Sequence, residues 1–399
     1  MTAEPGAATP VPRGMTIPAT PGRHVYTQVT DVLRGRIAPL APSRPGTADG
    51  PLRCALIVPH FAFGSGGHQV VFQLGHQLER LGHVVSYWVH DPFDERPDAT
   101  GNQLRDAIVK AYAPISGPVF SGFEHWTGTD VALATGWQTV YPMMALEGCR
   151  ARAYIVNDHE PEFYPTSLES IFAARTYELG LPCIVGGGPW LANQLRSRYG
   201  APIAATFDYP VAPEFRWRDV PRRDDTLVVY GRNVTPRRAV GLALIALEEL
   251  KARRPELRVV LFGDEGAAAL NFEYEHHGAI SAERLSHVYS EATVGIAFSL
   301  THGSLVPHDM MSCGLPVLDL EGYGTAAEHA DSGLIELAPL DPLAMADALE
   351  RLLDDPQLRA ARSQAGREYV GAHSWPASAA RVEAGLRDIL RAREPAPGA

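Results

Sequence analysis

The stretch CALIVPHFAFGSGGHQVVFQLGHQLERLG, residues 54–82, decides the fold class of this 399-residue chain. Its start, Cys54–Pro59, is a short apolar run that predicts a buried strand. A glycine-rich loop follows, and apolar residues at helical spacing then predict a helix over 69–81, which Gly82 is well placed to end. A strand, a glycine loop and an amphipathic helix in this order are typical of a parallel α/β sheet.

The same alternation of strands and helices continues along the chain and divides it into two similarly built halves. In the first half we predict further strands at 84–89, 131–134, 153–156, 183–185 and 204–207, and helices at 139–147, 167–179 and 189–199. In the second half we predict strands at 227–230, 258–262, 294–298, 317–320 and 334–337, and helices at 238–253, 282–291, 307–312, 342–353 and 357–370. The chain is therefore predicted to be α/β, with two Rossmann-like domains.

Changes in composition set the predicted domain boundaries. Residues 1–50 hold eight prolines and six glycines, so we predict a disordered or loosely packed arm with one short helix within 24–36. The remaining units are predicted to be an N-terminal domain at 51–212, a linker at 213–225, a C-terminal domain at 226–373, a last helix at 374–392 and a tail at 393–399. Whether that last helix crosses back to the N-terminal domain is left open.

Charge and cysteine content narrow the class of protein. The chain has 35 basic and 46 acidic residues and a net charge of −11, which argues against a general nucleic-acid binder. Its four cysteines show no CxxC spacing, so we interpret them as buried thiols of a reducing compartment. No apolar run approaches the length of a spanning helix, and the first residues lack an apolar signal core. We therefore predict a cytoplasmic protein and leave peripheral contact with a membrane face open.

The loop GSGGH, residues 64–68, lies between the first predicted strand and its helix. Glycines let backbone amides approach an anion, and a helix N-terminus adds partial positive charge, so Gly66, Gly67 and His68 are predicted to line a phosphate or acceptor loop. A tight turn needs glycine in any case, so a purely structural turn is the alternative. Gln69 replaces the third glycine of GxGxxG, which disfavours a nicotinamide dehydrogenase.

The segment YGRNVTPRR, residues 230–238, follows the first strand of the second half. Arg232, Arg237 and Arg238 at a strand-to-helix turn predict an anion clamp, because guanidinium groups match phosphate oxygens and keep their charge. A diphosphate leaving group needs such a clamp, since its negative charge grows in the transition state. The alternative is a solvated basic helix start, but cations oppose the helix dipole at an N-terminus.

A third segment, SLTHGSLVPHDMMSCGLPVLDLEG, spans residues 299–322. The backbone amides of Ser304, Leu305 and Val306 at a helix start are predicted to contact a phosphate. Asp309 is predicted to accept hydrogen bonds from ribose hydroxyls. A capped helix with a structural aspartate is the alternative.

The polar loop NDHEPEFYP, residues 157–165, follows a predicted strand of the first half. Asp158, His159 and Glu160 are the candidates for deprotonating an acceptor hydroxyl or orienting a sugar. The alternative is a polar turn set by the two prolines. The histidines of the chain show no metal-ligand spacing such as HExxH, so no metal site is predicted.

With these four segments, the chain resembles GT-B glycosyltransferases of family 4, and more closely the rhamnosyltransferase-like branch of bacterial surface-polysaccharide biosynthesis. The resemblance covers about residues 51–390 and implies two Rossmann-like domains that face each other across a cleft. It implies that Arg232 and Arg237 contact the donor diphosphate and that Asp309 binds the ribose. At the place where the family has a glutamate near the donor sugar, this chain has Thr301.

The resemblance also implies the substrates. The co-substrate would be a nucleoside-diphosphate sugar, with a dTDP-linked deoxyhexose such as rhamnose as the expected donor, and no cofactor or metal would be needed. The acceptor would be a glycan, a lipid-linked or a small-molecule hydroxyl, whereas the oligomeric state is not predicted. Two other functions stay open: a catalytically inactive homologue that binds nucleotide as a scaffold, and a sugar-nucleotide epimerase.

Overall fold

The computed structural model describes residues 23–43, 46–61, 64–92, 98–233, 235–263, 266, 270–329 and 332–395. These residues form two α/β domains, each built on one parallel β-sheet with apolar cores on both faces. The fold class predicted from the sequence is confirmed.

The first sheet has seven strands. In chain order they are β1 (Arg53–Pro59), β2 (Val84–His90), β3 (Val119–Ser121), β4 (Thr129–Ala134), β5 (Cys149–Val156), β6 (Cys183–Gly186) and β7 (Ile203–Phe207). Their order across the sheet is β3-β2-β1-β4-β5-β6-β7, and every neighbouring pair is parallel. The three-residue β3 was not predicted, because so short a segment carries no readable alternation.

The described residues that precede β8 also form six α-helices. They are α1 (Arg23–Leu33), α2 (Gly66–Arg80), α3 (Gly101–Ala111), α4 (Trp137–Ala145), α5 (Leu168–Tyr177) and α6 (Pro189–Tyr199). Helix α3 was not predicted, although its first turn carries a reciprocal capping box between Thr100 and Gln103. The residue pair Thr-x-x-Gln was the available signal for it.

The second sheet has six strands and a larger set of helices. The strands are β8 (Thr226–Tyr230), β9 (Arg258–Phe262), β10 (Glu275–His276), β11 (Val294–Ile296), β12 (Val317–Leu320) and β13 (Glu336–Ala338). The helices are α7 (Val240–Arg253), α8 (Ala282–Glu291), α9 (Leu305–Ser312), α10 (Gly324–His329), α11 (Pro342–Asp354), α12 (Pro356–Gly371) and α13 (Trp375–Arg391). The strand order is β10-β9-β8-β11-β12-β13, and every neighbouring pair is again parallel. Strand β10 and helix α10 were not predicted from the sequence.

Strand β1 shows why the central strands are apolar throughout. Leu56 and Val58 belong to the core on one face of the sheet, whereas Ala55 and Ile57 belong to the core on the other face. Successive side chains of a strand point to opposite faces, so a strand covered on both sides needs an unbroken apolar run.

The N-terminal arm is the main correction to the predicted organisation. Residues 1–22 lie outside the described residues, but α1 packs against α4 and buries Val29 and Val32. After α1, the backbone N–H of Ala38 donates to Met144 O at 2.9 Å. The short helix predicted within 24–36 is confirmed as α1. The prediction that this segment is disordered or loosely packed is wrong, because composition alone does not show that two valines one helical turn apart match a neighbouring surface.

Helix α13 follows the second domain in sequence but packs against α2 and β7 of the first. Val382 and Leu386 lie in the core of the first domain, and Ser378 Oγ donates to Asp208 O at 3.0 Å. The predicted linker, residues 213–225, is anchored to the second domain near its C-terminal end. There the Arg222 guanidinium donates to four backbone carbonyls of that domain.

All four cysteines are buried and unpaired, as predicted. Within the described ranges, no helix is both long enough and apolar enough to span a membrane.

Candidate functional site

A cleft of about 830 Å³ lies between the two domains. It is lined by the segments that follow β1, β5 and β8 and by the start of α9. Ligands of open parallel sheets bind beyond the carboxyl ends of the strands, so this is the place where the fold favours a site.

The glycine loop forms one wall of the cleft through Gly66, Gly67 and His68. The Cβ atom of any residue larger than glycine would lie 3.1 Å from the Asn157 side chain at Gly67, and 3.5 Å from Leu305 of the second domain at Gly66. The approach of Asn157 to Gly67 is tight enough to favour glycine there, whereas a Cβ at Gly66 would make an ordinary van der Waals contact with Leu305.

His68 is held in place and uncharged. Its Nδ1 lies 2.7 Å from Ser65 Oγ, and burial lowers the pKa of His68 to about 4. At neutral pH the loop therefore contributes backbone amides and a neutral imidazole to the cleft, not a cation.

The arginine segment forms the opposite wall, and its local structure differs from the prediction. Pro236–Arg238 is a separate 3-10 turn, and α7 begins only at Val240 rather than at the predicted position 238. Ala239 joins the two with a φ of 45°, which costs a non-glycine residue on the order of 1 kcal/mol. Because of this break, the arginines lie ahead of the helix start and not within its first turn.

All three arginines line the cleft, and each has a partner. Arg232 Nη1 donates to Gly64 O at 3.2 Å, across the cleft. Arg238 Nη1 donates to Ser299 Oγ at 3.0 Å. Arg232 therefore reaches the glycine loop of the first domain, whereas Arg238 is held against its own domain.

Arg237 makes the main contact between the two walls. Its Nε lies 3.3 Å from Asp158 Oδ2, and its guanidinium carbon lies 4.0 Å from the centre of the Phe163 ring. Burial lowers the pKa of Arg237 from its usual value, while the Asp158 charge opposes that change. Both partners come from the loop after β5, so this loop and the arginine turn are mechanically linked.

The three predicted catalytic residues of the loop after β5 do not all lie at the cleft. Asp158 lines the cleft and faces Arg237. His159 does not line the cleft: it is 1% exposed, with Nδ1 3.0 Å from Glu162 Oε1 and Nε2 2.8 Å from Tyr199 OH. The structure therefore places His159 in an internal polar network, away from where a substrate would bind.

Glu160 reaches the wall of the cleft from a buried position. Its carboxyl group accepts hydrogen bonds from Tyr154 OH and from the backbone N–H of Trp137, the latter at 2.8 Å. Burial raises the pKa of Glu160 to about 7. The group is thus tied to the start of α4, and these bonds give it a structural role that the sequence did not reveal.

The start of α9 contributes the remaining predicted donor contacts. Ser304, Leu305, Val306 and Asp309 all line the cleft. No side chain caps this helix at Ser304, which leaves its first amides to a ligand or to solvent. Burial, and to a lesser extent the charge of Glu214, raise the pKa of Asp309 well above its usual value.

Thr301 is the predicted donor residue that the structure does not bring to the cleft. It is 2% exposed, and its carbonyl accepts from Gly324 N–H at 3.1 Å at the start of α10. Among the described residues, no group of three or more histidines, cysteines and carboxylates is placed to hold a metal ion.

Several cleft residues were missed by the sequence reasoning. Phe163 is an apolar residue in a polar loop, and nothing in the local pattern marks it as a partner of Arg237. Gln69 and Gln73 both line the cleft, and both donate to Tyr112 O, at 3.3 and 2.9 Å. Their spacing of four residues on α2 was a readable signal, since it puts both amides on one helix face.

Comparison with known proteins shows similarity to a family of enzymes and to several relatives. Residues 224–355 match the family model described as glycosyl transferases group 1. Over 342 residues the chain is 32% identical to the O-antigen biosynthesis protein RfbC of Myxococcus xanthus. The aligned region covers 82% of this chain and 26% of RfbC. The chain is 26% identical over 198 residues to a phosphatidyl-myo-inositol mannosyltransferase of Mycolicibacterium smegmatis, covering 46% of this chain and 49% of that one. The chain thus spans about a quarter of the length of the first relative and about half of the length of the second.

A solved structure supports the same fold. The model superposes on a sucrose-phosphate synthase of Thermosynechococcus elongatus with a TM-score of 0.64 at 18% identity, covering 85% of this chain and 99% of that one. At this identity the likeness concerns the fold alone. The chain therefore has the GT-B fold, and residues 224–355 of its second domain match the family model of the group 1 glycosyl transferases.

Proposed function

We propose that this protein is a glycosyltransferase that moves a sugar from a nucleoside-diphosphate sugar to a hydroxyl acceptor. The observation that carries the proposal is the convergence of Arg232, Arg237 and Arg238 on a cleft whose other wall is a glycine loop. The family match of the second domain and the biosynthetic names of the relatives support it. The acceptor class is a glycan, a lipid-linked or a small-molecule hydroxyl.

The second domain would bind the donor. Arg232 and Arg237 clamp the diphosphate, whose negative charge grows as the bond to the sugar breaks. The amides at Ser304–Val306 add hydrogen bonds at a helix N-terminus, and Asp309 accepts from the ribose hydroxyls. Arginine charge then performs the task of a metal ion, so we propose a metal-independent reaction without a cofactor.

The contacts of Arg237 also indicate how the donor would enter. Arg237 is held by Asp158 and Phe163 of the opposite wall. A diphosphate carries more charge than one carboxylate and offers several oxygens, so it would replace Asp158 as the partner of this arginine. Asp158 would then be released toward the acceptor, where it can orient a hydroxyl group or accept its proton. Closure of the domains around both substrates would exclude water.

For the donor we propose a dTDP-linked deoxyhexose such as rhamnose, used in the synthesis of a bacterial surface polysaccharide at the cytoplasmic side. The name of the Myxococcus relative supports the polysaccharide context. A second candidate is a nucleotide-binding homologue without turnover, which the position of Thr301 away from the cleft favours.

Thermal unfolding with saturating dTDP, UDP, GDP and ADP in parallel tests the proposal. A ligand at about 100 times its Kd stabilises its domain by roughly 2.7 kcal/mol. For a domain of this size we expect one nucleotide to raise the Tm by about 5–10 °C. No shift with any nucleotide would contradict a donor site, and binding without transfer or donor hydrolysis would favour the inactive homologue.

A further inference from the structure

Tyr209 is a buried residue that contacts both domains. It follows β7 by two residues, is 5% exposed and belongs to the core of the first domain. Its ring centre lies 5.9 Å from that of His302 in the second domain, in an edge-to-face arrangement. On its other side, a Cβ atom at Gly186 or Gly187 would lie 2.6 or 2.5 Å from atoms of this ring. The ring is therefore packed between the two domains with little room to move.

The backbone of Tyr209 is bonded to the second domain as well. Its carbonyl oxygen lies 3.2 Å from Nδ1 of His308 in α9, and because a carbonyl oxygen can only accept, that nitrogen donates. Burial lowers the pKa of His308 to about 3 and raises the pKa of Tyr209 well above its ordinary value. Neither side chain changes its charge near neutral pH, so both contacts persist there.

The hydroxyl group of Tyr209 begins a chain of two hydrogen bonds. It donates to Asn157 O at 2.6 Å, and Asn157 Nδ2 donates to Gly67 O at 3.1 Å. Asn157 is the first residue after β5, whereas Gly67 lies in the first turn of α2. These two bonds connect a residue fixed between the domains to the glycine loop.

The first turn of α2 faces the place where a diphosphate would bind. Among the described side chains, none caps this helix at Ser65, so its first N–H groups have no partner within the helix. Gly66 and Gly67 line the cleft together with the three arginines, and Arg232 Nη1 donates to Gly64 O at 3.2 Å. A diphosphate held by the arginines would therefore lie within reach of these N–H groups.

The exact position of these N–H groups affects the rate of the reaction. Negative charge grows on the diphosphate as its bond to the sugar breaks, and N–H groups stabilise that charge best when they already point at it. A misplacement of about 1 Å in an active site can cost up to about 100-fold in rate. A residue that holds the glycine loop in place can therefore control the rate without contacting the nucleotide.

We propose that Tyr209 is a positioning residue for the transfer reaction: through Asn157 it holds Gly67, so that the N–H groups of the glycine loop face the leaving diphosphate. This inference rests on the proposed glycosyl transfer and adds a contribution of the first domain to it. Asn157 is the link between Tyr209 and the loop.

The test uses the full chain and the nucleotide sugar whose base is identified by thermal unfolding. The rate of sugar release to water is measured, so that no acceptor is needed. Tyr209→Phe keeps the ring and removes the hydroxyl group, whereas Asn157→Ala removes the side-chain bond to Gly67 and leaves the backbone carbonyl at this position. We expect each variant to lower kcat by about tenfold, as for a misplaced group, and to keep the KM for the nucleotide sugar within about twofold of the wild-type value.

Two comparisons separate positioning from a general loss of stability. The hydroxyl group of Tyr141 donates to Phe172 O at 2.7 Å, and Tyr141 is buried away from the cleft. Tyr141→Phe therefore removes the same kind of bond, and we expect it to lower the unfolding midpoint as much as Tyr209→Phe does, with kcat unchanged. The double variant of Tyr209→Phe and Asn157→Ala should lose about as much kcat as either single variant, because both substitutions break one chain.

The outcomes distinguish this inference from the function on which it rests. If the wild type neither releases nor transfers sugar, the proposed function itself fails. If the wild type is active and Tyr209→Phe lowers only the unfolding midpoint, Tyr209 is structural and the inference is overturned. If Tyr209→Phe lowers kcat and Asn157→Ala does not, the connection through Gly67 is refuted. A double variant whose loss equals the product of the two single losses equally contradicts a single chain.

Discussion

The polar loop after β5 and the arginine turn after β8 each follow a strand of a parallel sheet and meet across the cleft, but they use their polar residues differently. In the β5 loop, His159 and Glu160 bond mainly to other residues of the first domain. In the arginine turn, all three guanidinium groups line the cleft. The polar residues therefore form mainly an internal network in the first segment, whereas they line the cleft in the second.

The difference arises from what surrounds each segment. The β5 loop lies against α4, α5 and α6, which supply hydroxyl and amide partners such as Tyr177 and Tyr199. The arginine turn lies ahead of α7, which begins after Ala239, and Arg237 extends from it to Asp158 of the first domain. We therefore expect substitutions in the β5 loop to affect stability and substitutions in the arginine turn to affect donor use.

The largest effect is expected at the arginine turn. Arg237→Ala should reduce donor turnover by about 10²–10³-fold, the loss typical of one group that stabilises transition-state charge. The measurement is the rate of sugar release from the nucleotide sugar, together with the unfolding midpoint. Arg105→Ala, on the exposed face of α3, is the matched control. Unchanged turnover in the Arg237 variant would refute the clamp and remove the functional half of the comparison.

The second-largest effect is expected in the β5 loop, where a substitution should lower stability and leave nucleotide binding unchanged. Glu160→Ala leaves Tyr154 OH and the Trp137 N–H buried without their acceptor, which should lower the free energy of unfolding by about 2–4 kcal/mol. Urea denaturation measures this loss. Nucleotide affinity of the folded variant should stay close to that of the wild type; a large drop in affinity at intact stability would place Glu160 among the binding residues instead.

The pH dependence of stability gives a companion test for this residue. The pKa of Glu160 is raised to about 7, so the folded chain holds this proton while the unfolded carboxyl, with a pKa of about 4.3, has lost it. Its contribution to stability therefore falls as pH rises between these values. Glu160→Gln has no such proton, and its stability relative to the wild type should improve from about pH 5 to pH 7.5. A constant difference across this range would show that Glu160 is ionised in the fold.

The smallest effect is expected at Asp309, which lies in the same domain as the arginine turn and is proposed to bind the ribose rather than the diphosphate. Asp309→Asn should weaken nucleotide binding about tenfold, since one of the two carboxyl oxygens that could accept from the ribose hydroxyls is replaced by an amide donor. Because burial raises the pKa of Asp309, ionising it opposes folding above its ordinary pKa, and the neutral variant should be at least as stable as the wild type at pH 7. Calorimetric titration with the nucleotide measures the affinity, with Asp106→Asn on α3 as control; unchanged affinity would exclude the ribose contact.

The predictions from sequence were strongest where the signal is periodic. The strands at Arg258–Phe262 and Val317–Leu320 and the helices at Pro189–Tyr199 and Ala282–Glu291 were predicted with the bounds that the structure shows. Short or edge elements such as β3 and β10 were missed, because two or three residues cannot show a period.

Candidate site residues followed a similar division. Motifs at the carboxyl ends of strands led to the glycine loop, the arginines and Asp309, because the fold itself brings these ends together. The internal position of His159 and the role of Phe163 beside Arg237 depend on contacts between segments about 40 to 80 residues apart, which a local pattern does not encode.

The sequence by itself determined the α/β class, the two parallel sheets and the segments that line the cleft, because periodicity and strand-end motifs are local properties of the chain. The tertiary structure decided which of the polar residues face a ligand, where the N-terminal arm packs, and that α13 returns to the first domain. Burial and pairing are set by neighbours in space, and only the packed fold specifies those neighbours.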